Sequence, residues 1–165
     1  MPSSLLINVG SEGGSWQVWV WKSKGSDRVK SDVAAIPGRR THVALVVEGQ
    51  QYRLYVNGRQ AVLKPGKALP LRSGAAPFEI GFQFNGIVDE VRVSKSARYD
   101  RDFTPQVRFI PDSETLGLYH CDEGTGGRLI DSSGNSHHGR INGATWVKVG
   151  GGAAGTAPNG SGAAK

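Results

Sequence analysis

The chain has 165 residues, which suits one domain with its own core and leaves little room for a second. It is 38% hydrophobic and 21% charged, a globular balance that excludes a wholly disordered chain, and its 24 glycines point to many tight turns rather than long helices. The net charge of +6 comes from scattered residues such as Lys22, Arg28, Arg40 and Arg53, with no run of five, which argues for a solvated surface and against a specific nucleic-acid partner.

The first residues, Met1 to Ile7, carry no basic region and no long apolar stretch, so they do not read as a signal peptide. No apolar run reaches membrane-spanning length, so no membrane insertion is expected and the chain reads as soluble. Gly10 to Gly14 is a turn. Trp16 to Trp21 is dense in aromatic and β-branched residues and reads as a strand. Alternation puts Trp16, Val18 and Val20 on one face and Gln17, Trp19 and Trp21 on the other. Gly25-Ser26-Asp27 and Pro37-Gly38 are turn signals. Thr41 to Val47 is a strand, and Glu48-Gly49-Gln50 turns the chain. Gln51 to Val56 returns as a strand closed by Asn57-Gly58, the strongest two-residue hairpin signal. Arg59 to Val62 continues it, which makes residues 41–63 an antiparallel meander.

Pro65 to Ala76 is a loop, followed by short strands at Phe78 to Phe82 and Val88 to Val93. Ser94 to Tyr99 suits one helical turn, and Asp100 to Pro111 is an extended loop. Thr115 to Cys121 is a strand, and turns at 124–127, 131–135 and 142–143 separate further short strands. Residues 149–165 are almost entirely Gly, Ala, Ser, Pro and Asn, a flexible tail that buries too little apolar surface to order itself. Asn159-Gly160-Ser161 within it matches a glycosylation acceptor, a pattern that means little without a known compartment. Many short strands with turns between them argue for an all-β antiparallel β-sandwich over residues 1–148.

Three segments together resemble the concanavalin A-like superfamily in its laminin G-like (pentraxin-like) form. They are Arg40-Thr41-His42-Val43-Ala44 with Leu54-Tyr55-Val56-Asn57-Gly58; Phe84-Asn85-Gly86-Ile87-Val88-Asp89-Glu90-Val91-Arg92-Val93-Ser94; and Asp122-Glu123-Gly124-Thr125-Gly126 followed by Asp131-Ser132-Ser133-Gly134-Asn135, His137-His138-Gly139 and Gly143-Ala144-Thr145-Trp146-Val147. The resemblance covers roughly residues 15–148 and implies a concanavalin A-like jelly roll. Two departures stand out. The acidic segment that commonly opens such a domain sits near the C-terminus here, and the usual N-terminal turn and strands are missing. Either the chain is a fragment of a longer protein, or its last segment folds back to supply the first strand. An incomplete sandwich exposes strand edges, which invite association.

Function follows from the same reading. The resemblance implies a non-catalytic binding module for carbohydrate or a protein partner, extracytoplasmic or at the cell surface, in a bacterial multidomain protein. A structural or adhesion spacer, or a truncated fragment without independent function, is the alternative. Such domains often hold Ca2+ at a loop rim, where turns supply carboxylate and carbonyl oxygens. Asp131 and Asn135 lie in a suitable turn, and the resemblance adds Asp89 as an acidic partner. The structural counterpart is that Asp131 caps an Asx-type turn and that Asp89 or Glu90 pairs with an arginine. His137 and His138 are adjacent, which disfavours joint chelation on a strand.

Trp19 and Trp21, on the face that also carries Gln17, are the candidate ligand-binding aromatics. The other large aromatics read as core. No enzyme is expected: a glucanase needs two carboxylates on one face, and Asp89-Glu90 and Asp122-Glu123 are adjacent and point apart. Cys121, the one cysteine, reads as a small buried hydrophobe whose acidic neighbours raise its thiol pKa.

Overall fold

A computed structural model describes residues 4–9, 14–21, 26–66, 78–81 and 84–149. Among these residues there is no helix, and the strands pair antiparallel throughout. The chain is an all-β sandwich, as its turn-punctuated pattern implies. The tail from residue 150 lies outside the described residues.

The first sheet contains β1 (Ser4–Val9), β2 (Ser15–Trp21) and β3 (Ser26–Ala34), in that order. The second contains β4 (Val43–Glu48), β5 (Gln51–Val56) and β6 (Arg59–Pro65). Val18 and Val29 of the first sheet are fully buried with Tyr52 and Leu54 of the second, and Val43, Leu45, Val47 and Val62 pack around them. Register explains the grouping: Val18 pairs with Val29, Leu45 with Leu54, and Leu54 with Val62, so these side chains share the inward faces.

The meander over 41–63 forms as the sequence indicates. Asn57 and Gly58 both take positive φ, 50° and 77°, the signature of a type I′ turn. Gly58 is required for a second reason. A Cβ there would stand 1.9 Å from the backbone oxygen of Phe103 and 2.8 Å from Pro105. The chain therefore crosses the hairpin at this point, and the Phe103 amide donates to the Gly58 carbonyl at 2.9 Å.

That crossing seals the other face of the second sheet with aromatics. Tyr55 is fully buried there, its hydroxyl donating to the Tyr99 carbonyl at 3.2 Å. Tyr99 and Phe103 stack at 3.5 Å with an interplanar angle of 4°. His42 meets Phe103 and Phe109 edge-on, and the Arg92 guanidinium lies 4.2 Å from the Phe109 ring. Arg92 also donates to the Tyr99 hydroxyl at 2.8 Å. This layer joins the second sheet to the pair β7 (Val91–Ser94) and β8 (Thr115–Tyr119). A last two-stranded ribbon is β9 (Arg128–Leu129) with β10 (Gly139–Arg140).

Several expectations change. Gly25-Ser26-Asp27 is not simply a turn, because Ser26 and Asp27 begin β3. Phe78 to Ile80 is not in a strand, and Phe82 lies outside the described residues. Ser94 to Tyr99 forms no helical turn. The strand expected over Val88 to Val93 starts only at Val91, and the one expected over Thr115 to Cys121 stops at Tyr119. One cause accounts for both ends. Glu90 and Cys121 sit at φ 52° and 59°, left-handed conformations that no ladder tolerates.

Candidate functional site

The outward face of β2 and β3, opposite Val18 and Val29, carries the first candidate, with Trp19 and Arg28 half-buried and Gln17 buried beside them. Trp19 pairs across with Arg28, and Gln17 with Lys30. The Arg28 guanidinium lies 5.2 Å from the Trp19 ring centre, and its Nε donates to Gln17 Oε1 at 2.6 Å. Trp19 is half-buried, while Val18 beside it points into the core. Alternation thus gives one strand a structural face and a face where an indole, a guanidinium and an amide lie together. Trp21 stands opposite Ser4 and Ser26 at the end of β2; its side chain lies outside the described residues. Of the two aromatics expected on this face, Trp19 is therefore the one whose side chain is described.

A second constellation lies where β7 begins and β8 ends. Glu90, 9% exposed, accepts from the Phe109 amide at 3.0 Å and contacts His120 Nδ1 at 2.8 Å. Arg108 reaches Glu90 at 3.5 Å and Asp122 at 2.8 Å. Asp89 points elsewhere, to Arg40 at 2.9 Å. Cys121 is half-buried between these acids, and burial first, then Asp89, Glu123, Glu90 and Asp122, push its thiol up to about 11. It stays protonated at neutral pH, which removes it as a nucleophile. The sequence offered no signal for Glu90 and His120 as partners. They meet because both lie just beyond the same end of one register, Glu90 before Val91 and His120 after its partner Tyr119.

The third constellation is the turn at 131–138. The Asp131 carboxylate is fully buried and accepts four hydrogen bonds. They come from the amides of Leu118, Ser133 and His137, at 2.9 Å each, and the Ser133 hydroxyl at 2.8 Å. Burial works to raise its pKa, but the bonds from Leu118, Ser133 and His137 outweigh that and hold it down to about 2. Asn135 turns its NH2 group to the carbonyls of Thr115 and Leu116, at 3.0 and 3.1 Å.

These residues do not fit a calcium ion in this arrangement. A carboxylate offers about four lone-pair sites, and protein donors occupy that number on Asp131. Asn135 presents donors, and Asp89 is engaged by Arg40 rather than brought to the turn. Among the described residues no group of three His, Cys, Asp or Glu side chains is placed to hold a metal.

A family model described as the concanavalin A-like lectin/glucanases superfamily matches residues 3–102, more than half of the chain. The match stops short of the acidic segment at 122–147. No curated protein matches. Among solved structures, an S-layer domain-containing protein (residues 221–444) from Clostridium thermocellum is similar at 19% identity with a TM-score of 0.26. The alignment covers 70% of this chain and 59% of that one.

Proposed function

We propose a binding role for this chain, which belongs to the concanavalin A-like lectin/glucanases superfamily. The ligand is carbohydrate, held on the outward face of β2 and β3, and the module serves a larger extracytoplasmic protein. The observation that carries this is the Trp19, Arg28 and Gln17 group. An indole offers a flat apolar surface with a polar edge, and the guanidinium brings several donors in a fixed fork beside it. Sugars present that combination of apolar C–H faces and hydroxyl rims.

No reaction step is assigned. The adjacent acids Asp89 and Glu90 serve different partners, Arg40 and His120. The Gly- and Ala-rich composition of 149–165 supports a second reading as a spacer between domains.

A glycan array followed by calorimetry on the best ligand tests the role. Trp19→Ala and Arg28→Ala should each weaken binding about tenfold, a loss of about 1.4 kcal/mol, with melting temperature recorded to separate misfolding from lost contact. Retention of no glycan at all, or full affinity in folded Trp19→Ala, would remove carbohydrate binding at this face and leave the spacer.

A further inference from the structure

β8 is paired with β7 along one side only. In an antiparallel ladder alternate residues turn their backbone groups outward, and here those residues are Leu116 and Leu118, whose backbone groups bond outside the β7–β8 pair. An edge of this kind, left open, is a template for another strand. No strand of this chain covers it among the described residues, yet the Leu118 amide and carbonyl and the Leu116 carbonyl are taken. The Leu118 amide donates to Asp131 Oδ1 at 2.9 Å, and the Leu118 carbonyl accepts from the Ser132 amide at 2.7 Å. The Leu116 carbonyl meets Asn135 Nδ2 at 3.1 Å, His137 Nδ1 at 2.9 Å and the Ser133 hydroxyl at 3.3 Å. Tyr119 reaches back from β8 and donates its hydroxyl to the His137 carbonyl at 2.8 Å.

The turn is thus built like a strand partner made from side chains. Its acid spends its lone pairs on three backbone amides and a hydroxyl of the turn and of β8, which is the same capacity a cation would need.

We infer that the 131–138 turn is a cation-independent clasp that occupies the β8 edge and keeps a second copy of this chain from adding a strand there. The clasp is independent of the carbohydrate reading, because it lies on different strands and involves none of the residues of that face.

Two measurements test it. The first is a thermal melt of the full chain with calcium chloride at about 10 mM, tenfold above the weakest dissociation constants of extracellular calcium sites, and again with chelator. The two melting temperatures should agree within about 1 °C; a rise of about 3 °C or more with calcium overturns the cation-independent clasp, since linkage at that excess stabilises any site that binds.

The second is light scattering after size exclusion. Asp131→Ala leaves its donors unpaired, so its melting temperature should fall by about 10 °C and the folded fraction should run as a dimer or larger where the parent is monomeric. Asn135→Ala is the milder variant, keeping the buried acid, freeing the Thr115 carbonyl and removing one of the three donors to the Leu116 carbonyl, and it too should shift toward dimer. Adding Leu116→Pro to it removes an outward N–H and should restore the monomer. Should Asp131→Ala fail to fold, Asn135→Ala decides alone. A folded Asn135→Ala protein that remains monomeric at every concentration overturns the guarding role.

Discussion

Up to Gly66 the chain makes two three-stranded ladders around a shared core of Val18, Val29, Tyr52 and Leu54, with strands of six to nine residues. From Phe84 onward the longest strand is five residues, and β9 and β10 have two each. Backbone groups must be satisfied in both regions. In the first, other strands do it. In the second, carboxylates and an amide do it: Glu90 takes the Phe109 amide, Glu123 the Ile130 amide, Asp131 three amides, and Asn135 two carbonyls. Acids that look like ligands in a sequence can therefore be the local substitute for a sheet. Removal of Asp131 belongs with core truncations in its cost, because it leaves the buried Leu118 amide unpaired.

The largest effect is expected at the seam between the two regions. Gly58→Val asks a β-branched residue to hold φ 77° with its Cβ inside the Phe103 carbonyl. We expect a loss of about 4 kcal/mol from clash and backbone strain together, measured by urea unfolding. A small loss would mean that the 99–105 crossing lifts away easily, and that the two regions are less tightly joined than the aromatic layer implies. Leu54→Ala comes next. Leu54 is fully buried between the sheets, and its truncation should cost about 3 kcal/mol. If the first region alone carries the core, this variant should lose its protection from hydrogen exchange across β2 to β6 together.

How far the sequence revealed these regions follows the same division. The meander was legible because alternation and Asn57-Gly58 agree with each other and with the fold. β3 was not, since Val29 is the one buried apolar side chain in a strand otherwise rich in Ser, Asp and charged residues, and pairing with β2 rather than propensity makes it a strand. β1 is not legible because a short apolar run such as Leu5-Leu6-Ile7 does not declare its period. In the second region the acidic residues stood out, but their partners did not. Asp131 was visible as a turn residue, whereas its bonds to Leu118 and His137 depend on tertiary placement. The raised thiol of Cys121 was legible from Asp122 and Glu123, although burial proves to be the larger cause.

Acid should separate the regions in turn. His42 lies in the aromatic layer with a buried Nδ1 that has no hydrogen-bond partner, and its pKa is lowered by burial first and by Arg92 second. A lowered folded value means that the unfolded chain takes up the proton more readily. The contribution of neutral His42 is therefore complete above its unfolded pKa of about 6.5 and declines as pH falls below that. Asp131, held down to about 2, contributes fully above its unfolded value of about 3.9 and loses that contribution between there and about 2. Melting temperature against pH should thus fall in two stages. His42→Phe should flatten the stage between pH 7 and 5 and leave the lower one. A variant that keeps the upper stage unchanged would place its cause in another group.

The smallest effect is expected where the two regions touch at the surface. Arg40 precedes the second sheet and Asp89 precedes β7, and they pair at 2.9 Å with side chains 67% and 41% exposed. An exposed pair of this kind is worth about 0.2 to 1 kcal/mol and is screened by salt. Arg40→Ala and Asp89→Ala should each shift melting by no more than about 2 °C, and the double variant should lose no more than the larger single loss. In 1 M sodium chloride, where the screening length is about 3 Å, the differences should vanish. The comparison between the two alanines carries the information. Equal small losses mean that Asp89 serves Arg40 and nothing else. A loss at Asp89 well beyond that at Arg40, surviving in salt, would give the carboxylate a second partner and return it to consideration as a ligand.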